Sequence, residues 1–216
     1  MPSLLIAAAL ASGLATIAGD WRGVRRRWFY LTKPLTTLLI LALAAITLTH
    51  APRYQAWVMA ALGFCLLGDV ALMFAGTRAF VLGLSSFLLG HVLFIAAFVT
   101  DLPLVPLALP LVVWLLGGVF LAGVLSYARW LLPRTGRLKP AVLMYLTVLT
   151  AMTLAALLRA AVSESPAANW VCAGAMLFAV SDAVLAYRKF VRAPWWGQPV
   201  TLLTYYLAIG LMAWAY

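Results

Sequence analysis

Two carboxylates stand out in this chain because of their surroundings. Asp69 lies in FCLLGDVALMF (64–74) and Asp182 in AVSDAVLAY (179–187), both otherwise apolar or small-residue stretches. An Asp at the centre of a bilayer costs about 2.5–3.5 kcal/mol, so a membrane segment that keeps one is a functional candidate. Neither has an obvious cation within the apolar runs: Arg78 and Arg188 fall near segment ends, where they can snorkel to headgroups. Two carboxylates brought close in a low dielectric tend to share one proton, because ionising both is costly. One then serves as an acid and the other as a base, which is the equipment for hydrolysing acid-labile bonds.

The elements that must position them are membrane helices. Of the 216 residues, 66% are hydrophobic and only 9% charged, more than a soluble core of this length could absorb. Apolar runs at 3–19, 34–50, 56–73, 79–100, 104–128, 140–160, 167–187 and 199–216 are each near the length a spanning helix needs. They lack the alternation of a membrane barrel. The expectation is an all-α, polytopic membrane protein with eight transmembrane helices, forming one domain over 1–216. Cys65 and Cys172 both fall inside runs and read as packing residues rather than a disulfide.

The net charge of +10 has a direction. Of the 15 Lys and Arg, all but Arg53 and Arg159 fall in alternate breaks: Arg22, Arg25, Arg26, Arg27 and Lys33; Arg78; Arg129, Arg134, Arg137 and Lys139; Arg188, Lys189 and Arg192. The positive-inside rule puts those breaks in the cytoplasm and both termini on the non-cytoplasmic side. The charge therefore reads as topology and not as a nucleic-acid footprint. The first run has no basic residues before it, as expected of an uncleaved helix entering from outside. Trp28, Tyr30, Trp130, Trp195 and Trp196 beside the basic breaks read as an interfacial belt that would face anionic headgroups.

The two aspartates echo one another. Aligning Trp57 with Trp170 also aligns Val58 with Val171, Ala60 with Ala173, Asp69 with Asp182 and Leu72 with Leu185. That fits a weak four-helix repeat with halves near 1–101 and 102–216. Counted from their cytoplasmic ends, Asp69 is about 6 Å deep and Asp182 about 8 Å. The same depth holds Thr16, Thr36, Thr37, Ser85, Ser86, Ser126, Tyr127, Tyr145, Ser181 and Thr204 to Tyr206. Membrane polar groups face a bundle interior or a watered cavity, so this layer reads as a pocket toward the cytoplasmic leaflet. His91 counts about 18 Å deep, some 10–12 Å beyond the carboxylates. That mismatch argues against a His–Asp–Asp metal site, and no metal or other cofactor is expected.

LLGDVALMF, the spaced set Phe80, Gly83, Phe87, Gly90, His91 and Phe94, then GAMLFAVSDAVLAYRKF (174–190) and the TYY at Thr204–Tyr206 together resemble the YhhN/lysoplasmalogenase family. The resemblance runs in order along nearly the whole chain. It departs where the family carries Gln shortly after the tyrosine pair and this chain has Ile209. It implies hydrolysis of the vinyl-ether bond of lysoplasmalogens, a lysophospholipid substrate among membrane lipids, and a place in a bacterial inner (cytoplasmic) membrane. On that reading Asp69 and Asp182 are catalytic. Tyr145, Tyr205, Tyr206 and Ser181 would position substrate or water, with His91 supporting them. The alternative is a small proton- or cation-coupled transporter using the same two aspartates.

Overall fold

The structure, a computed structural model, describes residues 2–20, 26–100, 102, 109–163 and 165–214. Arg22 and Arg25, Leu104 at the start of the expected fifth span and Tyr216 at the end of the eighth lie outside these. Eight α-helices and no strands occur among the described residues: α1 Pro2–Gly19, α2 Phe29–Thr47, α3 Pro52–Ala71, α4 Thr77–Val99, α5 Leu111–Leu131, α6 Lys139–Val162, α7 Pro166–Phe190 and α8 Gly197–Trp214. Seven are long and apolar enough to cross a membrane. The chain is a multi-pass helical membrane protein. The eighth helix, α8, is as long as α1, but Gln198, Thr201, Thr204, Tyr205 and Tyr206 dilute its apolar character.

Local chemistry sets the helix starts. Proline occupies the first turn of α3, α6 and α7, where its missing N–H would have no intrahelical partner. Ser165 caps α7 by accepting from the Ala167 N–H at 3.3 Å. Pro34 does not open α2: the helix begins a full turn earlier at Phe29, with Pro34 inside it. Lys33 is therefore a helical residue and is buried, not a cytoplasmic loop cation. Arg159 is likewise within α6, buried, donating to the carbonyls of Phe98 and Thr100 at the end of α4.

Six helices close a ring, each packed on the next in the order α2, α3, α4, α6, α7, α8 and back to α2. Helix α1 lies outside against α2 and α8, and α5 lies outside against α6. Tyr127 of α5 ties it to α7 through a 2.6 Å hydrogen bond to the Ala183 carbonyl. Inside the ring Phe87 and Phe94 of α4 meet Phe178 of α7 edge to face, and Phe98 stacks on Phe94 and on Tyr54 of α3. Five hydroxyls of the expected polar layer bond to the carbonyl one turn back: Thr16, Thr36, Ser86, Ser126 and Thr204. Such a bond satisfies a hydroxyl that lipid cannot, without building a site. Thr37, Tyr145, Ser181 and Tyr205 reach across to other helices, as do Tyr127 and, through a second bond to Ser12, Thr36.

Candidate functional site

Asp69 ends up in the last turn of α3, where helix geometry leaves carbonyls without partners. Lys33 of α2 answers both needs at once. Its Nζ lies 3.3 Å from Asp69 Oδ1 and donates to the Asp69 main-chain oxygen at 3.0 Å. A cation at a helix C-terminus is also favoured by the helix dipole. The other carboxylate oxygen, Oδ2, accepts from Thr37 at 2.6 Å and from Tyr205 at 2.7 Å. Helices α2 and α8 thus surround the Asp69 carboxyl of α3 with one ammonium and two hydroxyl groups. The expectation that it lacks an intramembrane cation is overturned by Lys33. The signal for it is the buried stripe Lys33, Thr36, Thr37, Ile40, Leu43 and Ala44, at helical spacing along one face of α2.

Asp182 of α7 has a different setting. Its Oδ2 accepts from Tyr145 of α6 at 2.7 Å and stands 3.6 Å from His91 Nε2 of α4. No hydrogen bond from the described residues reaches Oδ1. His91 is completely buried, and neither ring nitrogen has a hydrogen-bond partner among the described residues. Its ring lies edge-on to Tyr145 and Phe178 at 5.1 and 4.7 Å.

His91 therefore belongs to the same layer as Asp182, contrary to the depth count. Two causes account for the difference. Helix α7 continues to Phe190, whose ring meets that of Phe80 at 5.8 Å. From that shared level His91 is about 17 Å up α4 and Asp182 about 12 Å up α7. Side chains also lean toward their own helix N-terminus, and these helices run oppositely, so the two groups lean toward each other.

Both carboxylates line one cavity of about 350 Å³, together with Lys33, Phe87, Ser181, Thr201 and Tyr205. Its other end is lined by Phe74 to Gly76, between α3 and α4, and by Arg188, Lys189 and Gln198. Phe87 forms the wall beside Asp69. A Cβ on Gly68 would stand 2.6 Å from the Phe87 ring, so only glycine lets the ring lie flat on α3 there. Phe87, Phe178 and Tyr205 meet edge to face, giving the polar groups a rigid apolar frame.

Asp182 is also reached by a second, narrow apolar slot of about 30 Å³ between α4, α6 and α7. The slot is lined by Phe80, Leu84, Val142, Leu146, Ala186 and Phe190, with Tyr145 and Leu185 beside the carboxylate.

Of the expected site residues, the structure gathers Asp69, Asp182, Tyr145, Tyr205, His91 and Ser181. The Ser181 hydroxyl is committed to the Thr201 carbonyl at 3.0 Å, tying α7 to α8. Tyr206 is not part of the gathering. It lines a separate apolar groove between α1, α2 and α8, with its hydroxyl 3.5 Å from the Lys33 carbonyl. Ile209 is completely buried among apolar residues. Among the described residues no three His, Cys, Asp or Glu side chains stand close enough to hold a metal ion.

A helical membrane protein that keeps two buried aspartates on one cavity, one paired with a lysine and one with a tyrosine, has the features of an intramembrane acid–base site. The chain belongs to the YhhN family, which it matches over residues 28–216. The match takes in the six helices of the ring and α5 but not α1. The chain is 34% identical over 157 residues to a protein named lysoplasmalogenase from Mycobacterium bovis (strain ATCC BAA-935 / AF2122/97). It has the same identity to another of that name from Mycobacterium tuberculosis (strain CDC 1551 / Oshkosh). The matched stretch is 69% of this chain and 56% of each relative, so the chain spans little more than half their length. No solved structure matches it.

Proposed function

We propose that the chain is a membrane-embedded lysoplasmalogenase, cleaving the vinyl-ether bond of a lysophospholipid by acid–base catalysis between Asp182 and Asp69. The observation that carries this reading is the unlike setting of two buried carboxylates on one cavity. Asp69, held by Lys33, Thr37 and Tyr205, is the ionised member. Asp182 has one hydroxyl donor and an Oδ1 that no described neighbour engages, so it is the member that carries a proton and presents it.

The chemistry follows from the bond. Asp182 protonates the β-carbon of the vinyl ether, and the positive charge moves to the α-carbon and the ether oxygen. The Asp69 carboxylate and the Phe87 ring face present negative potential toward that cation and stabilise it. Water adds to the α-carbon, and its proton passes to Asp69. The hemiacetal then breaks into a fatty aldehyde and a glycerophospho-alcohol, and a proton returns to Asp182. No redox partner is required.

The slot at Asp182 points to where the alkenyl chain would lie, between α4, α6 and α7 along apolar residues; about 30 Å³ holds only one or two methylene groups, so the chain must part these helices to enter. The strongly one-sided Lys and Arg distribution supports a mouth on the cytoplasmic leaflet and both termini on the other side. Ala186→Phe, which narrows the slot, is expected to lower kcat/KM about tenfold for long alkenyl chains and much less for short ones. Aldehyde release from a chain-length series measures it; an equal loss at every length sinks the slot as a chain path.

The function itself is tested on purified protein given lysoplasmenyl-ethanolamine, with released aldehyde as the readout. Turnover that disappears in Asp182→Asn supports the reading. Proton-coupled flux in proteoliposomes with no turnover of any lysolipid would favour the transporter alternative.

A further inference from the structure

The cavity has a charged end that acid–base chemistry does not use. Arg188 and Lys189 line it on α7, the same helix that carries Asp182 at the catalytic end. Lys189 is exposed, with its Nζ 4.6 Å from the centre of the Phe80 ring.

Arg188 is held more firmly. A Cβ on Gly197, the first residue of α8, would stand 2.6 Å from Arg188 Cδ, 2.8 Å from Cγ and 3.2 Å from Nε. The arginine stem therefore packs on the first residue of α8, in room that a larger residue would take from it. A guanidinium placed at this end of the cavity can bind a tetrahedral oxyanion through paired N–H groups.

The spacing also fits one molecule. Asp182 and Arg188 are six positions apart, about 9 Å along the helix, and the Arg188 side chain leans back toward Asp182. In a lysophospholipid five bonds join the ether oxygen to phosphorus, a reach of roughly 6 Å. We propose that Arg188, seated on Gly197, anchors the phosphodiester of a lysophospholipid while its ether bond lies at Asp182. This rests on the hydrolase reading above and adds to it a fixed spacing between headgroup and reacting bond.

The test compares two substrates on the full chain in detergent: 1-alkenyl-glycerophosphoethanolamine and 1-alkenyl-glycerol, which lacks the phosphate. The parent is expected to prefer the first. In Arg188→Gln the ratio of the two kcat/KM values should fall about 10- to 100-fold, chiefly through KM. Arg188→Lys, which keeps charge but not the fork, should fall between, and Gly197→Ala should move the ratio the same way. A loss that is equal on both substrates marks Arg188 as structural and overturns the anchor.

Binding of ester-linked lysophosphatidylethanolamine, which has no vinyl ether, separates this from failure of the hydrolase reading. If the parent releases no aldehyde yet binds that lipid, and Arg188→Gln weakens binding relative to monoacylglycerol, the anchor stands and the hydrolysis falls. Unchanged binding in Arg188→Gln overturns the anchor. Inorganic phosphate competing at concentrations as low as the lysolipid would overturn the assignment to a lipid-borne phosphate.

Discussion

Asp182→Asn is expected to lower kcat about 10²- to 10⁴-fold while leaving KM nearly unchanged, the range that loss of a positioned general acid gives. The amide matches the carboxyl in shape, and its oxygen still accepts from Tyr145, so the α6–α7 contact survives. It has no proton to give to carbon. Folding should therefore suffer little, with a cost of about 1 kcal/mol from the altered hydrogen bond. Asp69→Asn is expected to abolish turnover as well, but with a large loss of stability. Removing that charge strands Lys33 as a buried cation, which typically costs about 3–5 kcal/mol. The pair of substitutions thus separates the two aspartates by stability even where activity cannot. Aldehyde release and thermal unfolding in detergent measure the two quantities. Turnover by Asp182→Asn within about threefold of the parent would remove Asp182 from the acid role.

This asymmetry was half legible in the sequence. Composition and run length place eight helices within a few residues of where most of them lie, because lipid solvent allows a chain few alternatives to helix. The aspartates are legible for the same reason: a carboxylate in an apolar run demands an explanation. Their partners are harder to find. Tyr145 and Tyr205 are recoverable from depth alone, since each lies near the level of the carboxylate it bonds. His91 is misplaced by counting, because counting assumes level helix ends and ignores the lean of side chains toward their helix N-termini. Tyr206 shows the limit of depth as a guide. It is adjacent to Tyr205 and level with it, but about 100° around the helix, and so faces a different groove. Depth says which residues share a layer; only the packing order of the helices says which face one another.

Lys33 is the residue that sequence patterning places worst, and it carries the last expected result. An apolar run alone starts α2 at Pro34, since proline so often opens a helix, and that choice consigns Lys33 to the loop. In the structure it is one turn below Thr37 on the buried face of α2, and both side chains bond the same carboxylate. Lys33→Met is expected to destabilise the protein by about 3–5 kcal/mol, because Asp69 is then a buried anion with hydroxyl donors but no counter-charge. It should also lower kcat by about 10²-fold, since a base that shifts by an ångström loses its alignment with water and substrate. The informative comparison is with the double variant, Lys33→Met with Asp69→Leu. Replacing a whole buried ion pair with apolar residues is often neutral or stabilising, so its unfolding temperature should return to the parent's or exceed it. Its activity should stay absent. Recovery of stability without activity would mean that the pair is kept for chemistry at a cost to the fold. If Lys33→Met instead unfolds like the parent, the lysine is not what compensates Asp69, and the assignment of Asp69 as the ionised base loses its physical ground.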